Sequence, residues 1–419
     1  MSAAHDPYAA LRIRDYRCLL AGSILASVGM EVLAVTVGWE LYERTGSPAM
    51  LGYAGLAQFL PVLLLALVTG QAADRFSRKL VVQVAQTTIA LSALGLATLS
   101  WLQGPVELIF VCLLTAGVGR AFAMPARAAL IPQVVPTPQL SNAIAWQTSG
   151  FQIANVSGPA LGGALIAAYG EALRAYQVAA CCCLACAVLF VPIRPRATAR
   201  GATGRSLESL LAGVRFVFRT ELLLAAITLD LFAVLLGGAT ALLPVFAKDI
   251  LEVGPAGLGW LRAAPAGGAF VMALALAHRP PLKKAGRAML LAVAGFGAAT
   301  IVFGLSRSFP LSLAMLALAG ALDNISVVVR HTLMQLLTPD EMRGRVAAVN
   351  SVFISSSNEL GAFESGITAQ WLGPIASVVV GGAGTIQVVL LVMYFWPALL
   401  RLGTLHEAAE PPPNQQVRP

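Results

Sequence analysis

The sequence predicts an all-α membrane protein with twelve transmembrane helices in two six-helix, pseudo-symmetric bundles. Three observations lead there. Of 419 residues, 58% are hydrophobic and only 11% are charged, less than half the charged fraction of an ordinary soluble chain. Apolar runs long enough to span a bilayer recur from end to end. Short motifs of the first half return in the second at a nearly constant offset.

The spans fall at 18–41, 49–70, 80–102, 106–128, 140–168, 175–193, 222–247, 257–277, 287–306, 310–335, 346–371 and 376–401. The longer ones are expected to tilt or to extend past the hydrocarbon. Stretches such as "LSALGLATLSWL" (91–102) and "VVLLVMYFWPALL" (388–400) lack the alternation of a membrane strand. In lipid the backbone must satisfy its own hydrogen bonds, so these runs are helices. The formal charge of +8 does not indicate a nucleic-acid binder, because the cations sit in short loops between apolar runs.

Those loops set the orientation. With the N-terminus inside, the inner segments hold 21 Lys and Arg, and the outer ones hold five: Arg44, Arg174, Lys248, Arg262 and Arg307. Both termini are therefore expected in the cytoplasm. No signal peptide is expected, since the first apolar run is too long and contains Glu31 and Glu40.

The longest polar stretch, "RPRATARGATGRSLESLLAGVRFVFRTE" (194–221), divides the spans six and six. Its Arg-, Gly- and Thr-rich beginning reads as a flexible linker. Residues 207–218 read as a short amphipathic helix on the inner membrane surface. The organisation is then a bundle at 1–193, a linker at 194–221, a second bundle at 222–403 and a cytoplasmic tail at 404–419. Shifting the chain by 203 residues lays "PARAALIPQVVP" (125–136) over "VVRHTLMQLLTP" (328–339) and Gly158 over Gly361. A shift of 207 lays "PAMLGY" (48–53) over "PAGLGW" (255–260). In order and at nearly one offset, these matches indicate two homologous halves, the parallel-repeat plan of many secondary transporters.

The loop "GQAADRFSRK" (70–79), between spans 2 and 3, resembles the Gly-x-x-x-Asp-Arg-x-x-Arg-Arg/Lys signature of the major facilitator superfamily. Gly70, Asp74, Arg75, Arg78 and Lys79 match it in full. Gly70 allows close approach at a helix end, and Asp74 can meet a helix N-terminus and a nearby cation. The resemblance implies a conformational latch made in one transport state and broken in the other. The plainer reading is a basic loop that only sets topology. The corresponding loop, "AHRPPLKKAGR", lacks the Asp, so a latch would be one-sided.

"NVSGPALGG" (155–163) resembles the Gly-Pro motif of antiporter branches, with Gly158, Pro159, Gly162 and Gly163 as a small-residue packing face. "TPDEMRGRVAAVN" (338–350) and "SLLAGVRFVF" (209–218) resemble segments of the bacterial enterobactin-exporter and macrolide-efflux branch. The resemblance covers roughly residues 8–400 and implies the major facilitator fold and export rather than uptake.

Charges inside membrane helices are costly and usually functional. Glu31, Asp230, Glu359 and Glu364 are the proton-coupling candidates, since coupling needs a carboxyl made basic by burial. Arg120 and Asp323 lie 203 residues apart, which places them at equal depth with opposite sign. On spans that line the central cavity in the superfamily, they form a candidate charge pair. The alternatives are partners within each half, or a place at the aqueous rim.

The six Cys fall in apolar spans, and the four His are scattered, so no metal site is expected. No phosphate loop is visible, which points to an ion gradient, with protons first, and to no cofactor and no enzyme. The expected function is proton-coupled export of amphipathic small molecules, drug- or siderophore-like, by a monomer in a bacterial inner membrane. The expected partners are a small-molecule substrate and membrane lipids, with no nucleic acid. A receptor, or a lipid scramblase or flippase on the same fold, is the alternative.

Overall fold

The computed structural model describes residues 6–65, 68–69, 75–196, 207–280 and 283–403. Among them the secondary structure is helical, with no strand. The principal helices are α1 (Arg14–Thr45), α2 (Pro48–Leu64), α3 (Arg78–Leu102), α4 (Val106–Val134), α5 (Leu140–Tyr169), α6 (Leu173–Leu189), α7 (Leu207–Arg219), α8 (Glu221–Leu236), α9 (Gly254–Ala277), α10 (Ala285–Leu305), α11 (Phe309–Leu337), α12 (Asp340–Leu372) and α13 (Pro374–Phe395).

Among the described residues, nine helices are long and apolar enough to cross a bilayer. The shorter apolar α2 and α6 and the more polar α12 occupy the other three expected spans. Turn residues end the helices. Gly46 takes φ 61° after α1, and its N–H closes on the Tyr42 carbonyl, a left-handed cap that favours glycine. Within the spans, hydroxyls return to their own backbone, as Thr36 Oγ1 does to the Val32 carbonyl at 2.7 Å. Large apolar side chains point outward, among them Leu91, Leu291 and Leu390, with Trp101, Trp371 and Tyr394 exposed near helix ends. An apolar exterior with aromatic ends is what a bilayer requires.

The chain forms two compact units. One comprises residues 1–46, 53–205 and 252–263, the other 47–52, 206–251 and 264–419. In the first, α1 packs on α5 and α6, and α3 on α4 and α6; in the second, α8 packs on α12 and α13, and α10 on α11 and α13. The same plan is used twice. It repeats down to single glycines: Gly117 lies against the backbone of Gln58, and Gly320 against that of Pro265. Likewise Gly163 lies against Pro255 and Gly259, and Gly366 against Pro48 and Gly52. The positions on α2 and α9 differ by 207, and those on α4, α5, α11 and α12 by 203, so the two offsets in the sequence belong to different helices of one repeat.

Two expected elements gain detail. The span expected at 222–247 is present as the apolar segment Glu221–Ile250, but it is not one regular helix: α8 ends at Leu236, and short helical pieces continue from Ala239 to Ile250. Gly237 and Gly238 remove side-chain support there, and Gly238 fits tightly on the Gly361 backbone. The amphipathic helix exists as α7, and one of its faces packs on the second unit. Val217 is buried in the second unit's core, and Gly213 sits on the Arg345 carbonyl of α12. Leu211, Arg215, Phe218 and Arg219 stay exposed.

Candidate functional site: the intramembrane charges

The first unit brings Glu31 and Arg262 together. Glu31 is on α1, and Gly158 of α5 packs on its Cβ. A Cβ added at Gly158 would lie 2.5 Å from that of Glu31, so the glycine is what lets α5 reach the carboxylate's helix. Arg262 is eight residues into α9, about 12 Å along it at 1.5 Å per residue. Its Nε lies 3.9 Å from Glu31 Oε2, with the two side chains 30% and 31% exposed. That is an ion pair beyond hydrogen-bond length and open to water. Near the start of its span, Arg262 read in the sequence as one more outer cation. Its place inside the helix beside an acid was not visible there.

The second unit holds a pair of a different kind. Asp230 of α8 and Arg330 of α11 form an ion pair with side chains 7% and 3% exposed. Asp230 is thus buried rather than exposed to water. Among the described residues, the repeat-equivalent arginine in the first unit, Arg127 of α4, reaches the Ser23 carbonyl of α1, from Nη1 at 3.5 Å. Ser23 stands 207 residues before Asp230, as Arg127 stands 203 before Arg330. The two halves therefore share the arginine and its direction, and among the described residues the second supplies a carboxylate where the first has Ser23. The offset that aligned Arg127 with Arg330 was the available signal for this pair; what it lacked was the partner's position.

A third pair closes the end of α1. Glu40 Oε1 and Arg44 Nη2 are 2.8 Å apart and mostly buried. Arg44 also donates to the carbonyls of Gly104 at 3.0 Å and Leu99 at 3.1 Å, which caps the C-terminal end of α3. Glu40 was not among the sequence candidates.

The remaining candidates are more dispersed. Glu359 and Glu364 are half-buried on α12, and Thr368 Oγ1 donates to Glu364 Oε1 at 2.8 Å. Arg120 (α4) and Asp323 (α11) are half-buried and belong to different units. Of the latch, Gly70 and Asp74 lie outside the described residues. Arg75 is exposed. Arg78 donates to the Ala129 carbonyl at 2.8 Å, and Lys79 to those of Val191 at 2.6 Å and Ile193 at 3.0 Å. Lys79 thereby caps the chain leaving α6, where Asp15 accepts the Arg194 N–H at 2.9 Å. In the Gly-Pro motif, Gly162 packs on Val32 of α1, and the Pro159 carbonyl and Gly163 face Gly259 of α9.

Comparison with known proteins agrees with this architecture. The enterobactin exporter EntS of Citrobacter koseri is 29% identical over 95% of this chain and 94% of its own length. The multidrug efflux pump Tap of Mycolicibacterium fortuitum is 28% identical over 85% of this chain and 89% of its own length. Among solved structures, the nucleoside transporter NupG in a mutant form superposes with TM-score 0.72 at 12% identity, covering 91% of this chain and all of that one. A bacterial homologue of the lysosomal transporter Spinster gives TM-score 0.69 at 15% identity, over 95% and 99%. These two likenesses concern the fold alone. The family model described as transmembrane secretion effector matches residues 5–415. The chain belongs to that transmembrane secretion effector family, within the major facilitator superfamily of membrane transporters.

Proposed function

We propose that this transporter exports amphipathic small molecules by alternating access, driven by protons taken up at Glu31, with both termini in the cytoplasm. The exporter relatives support the direction, and the 21-to-5 distribution of cations supports the orientation. The observation that carries the reading is the contrast between two intramembrane acids. Asp230 is buried against Arg330, and stripping it of that partner would strand a charge. Glu31 faces its arginine loosely across 3.9 Å with water access, so it can exchange partners at little cost. A carboxylate that binds and releases a proton in every cycle needs, beside partial burial, a path to water and a partner it can leave. A proton on Glu31 removes the charge facing Arg262, and with it the electrostatic tie between α1 and α9.

The test uses inverted membrane vesicles with an imposed inside-acid pH gradient, and radiolabelled enterobactin and ethidium as probes. The wild-type protein is expected to accumulate at least one of them under the gradient. Glu31→Gln is expected to abolish that accumulation, whereas Glu359→Gln and Glu364→Gln retain it. Wild-type accumulation by Glu31→Gln would remove Glu31 from the coupling step. Accumulation by the wild type that ignores the gradient would remove the coupling itself.

The latch is proposed on the same basis as in the sequence. Asp74→Asn keeps the side-chain size and removes its charge. Its expected effect is loss of most transport with normal membrane insertion, measured as accumulation normalised to protein in the vesicles. Undiminished transport by a well-inserted variant would leave the loop with a topological role only.

A further inference from the structure

We infer that Arg262 is a tethered stand-in for the cationic group of transported molecules: its guanidinium holds Glu31 in the empty site, and an amphipathic cation takes its place there. The inference rests on Glu31 being the exchanging carboxylate. Glu31 is the intramembrane acid of the first unit that an arginine faces without engaging. At 3.9 Å with both side chains near one third exposed, the pair has the Coulombic benefit of opposite charges but not the directional hydrogen bonds that would fix it. Arg44 and Arg330 are different. Arg44 spends its donors on carbonyls and Glu40, and Arg330 is sealed against Asp230. Among the described residues, Arg262 makes no hydrogen bond and has Glu31 as its single ion-pair partner.

The surroundings suit an exchangeable ligand. Gly158 brings the α5 backbone against Glu31, and Gly163 and Gly259 bring α5 and the start of α9 into backbone contact, which holds the carboxylate facing Arg262 from one side. One helical turn from Gly158 on the same face of α5 lies Asn155, whose Oδ1 is buried and unpartnered. A side-chain amide there can accept from an ammonium or amidinium N–H. The Glu31 carboxylate attracts an organic cation by its charge, whether or not that cation carries N–H donors. The arginine already facing it shows that a weakly hydrated, amphipathic cation fits the approach.

The arginine is expected to weaken every organic cation that binds, because each must displace it. In exchange, Glu31 is never left as a lone carboxylate inside the membrane when the site is empty. Arg262 is a specificity-determining residue in this reading: it sets the threshold a cation must exceed, and it disfavours none of the neutral contacts.

The experiment measures equilibrium binding of tetraphenylphosphonium and of its isosteric anion tetraphenylborate to the purified full-length transporter in nanodiscs, with empty nanodiscs subtracted. Neither probe titrates. Arg262→Gln is expected to bind tetraphenylphosphonium about tenfold more tightly than wild type, the scale of an ion pair between exposed and buried limits. Arg262→Lys keeps the competing cation and stays near wild type. Glu31→Gln loses most of the binding, and Arg262→Gln adds nothing in that background. Tetraphenylborate is not tightened by Arg262→Gln. Equal or weaker phosphonium binding by Arg262→Gln overturns the inference, as does a tightening that persists without Glu31. The coupling proposal fails separately. Unchanged phosphonium affinity in Arg262→Gln, together with lost export in Glu31→Gln, sinks the stand-in alone. Tightened affinity in Arg262→Gln, together with intact gradient-driven export by Glu31→Gln, sinks the coupling alone.

Discussion

Arg330→Gln is expected to destabilise the protein by about 3–5 kcal/mol, the usual cost of stranding one member of a buried ion pair. Asp230 would lose its counter-charge while staying buried between α8 and α11. The repeat supplies the control. Arg127→Gln removes the equivalent arginine, yet it uncouples only a backbone carbonyl reached at 3.5 Å. Its cost should be that of a hydrogen bond to a charged group, about 1.5–3 kcal/mol or less given the length. Neutralising both partners, Asp230→Asn with Arg330→Gln, should recover most of the loss, because no buried charge remains. Denaturation in mixed micelles, followed by tryptophan fluorescence, gives the comparison. Equal losses for Arg127→Gln and Arg330→Gln, or a double variant no better than Arg330→Gln alone, would show that Asp230 and Arg330 are not energetically a pair.

What could be read in advance follows from what each signal encodes. Lipid demands long apolar helices, so each expected span coincides with helix to within a few residues at most boundaries. The repeat was legible because glycines and prolines at helix crossings cannot be exchanged freely, and they keep their order. Partners across helices were not legible. Asp230 and Arg330 are a hundred positions apart, and hydropathy says nothing about which face each helix turns inward. Arg262 sits in an apolar run beside glycines and alanines, where a helix end and a helix interior look alike. The break after α8 was hidden because Gly237 and Gly238 are apolar by any scale, while their effect is conformational. For α7, the amphipathic pattern indicated two faces, but not that one of them packs on the flank of α12. A protein surface and a bilayer surface ask for the same stripe.

The last prediction concerns the pseudo-symmetric glycines. Gly163→Ala and Gly366→Ala are expected to behave alike, although they lie in different halves and share no neighbour. A Cβ at Gly163 would overlap the Pro255 carbonyl oxygen and come 2.9 Å from both Cα and N of Gly259. At Gly366 it would come 2.9 Å from N and 3.0 Å from Cα of Gly52. Backbone cannot yield as a flexible side chain does, so each methyl forces a helix to move, at the 1–3 kcal/mol typical of overpacking. Gly162→Ala, one residue away, is the natural comparison: its Cβ would meet the Val32 backbone at 3.3 Å, a tight contact but one relieved by a shift of a few tenths of an ångström, and should cost less than Gly163→Ala. The functional consequence is expected to exceed the stability loss. Residues 252–263 belong with the first unit, and 47–52 with the second; these glycine contacts bind each segment to its unit. Separating the start of α9 from α5 would also draw Arg262 away from Glu31. Gly163→Ala should therefore lower gradient-driven accumulation at least tenfold at equal protein in the membrane, and Gly366→Ala should resemble it. Export and stability indistinguishable between Gly163→Ala and Gly162→Ala would mean that the close backbone approach is not required, and that small residues at these crossings serve only to fill space.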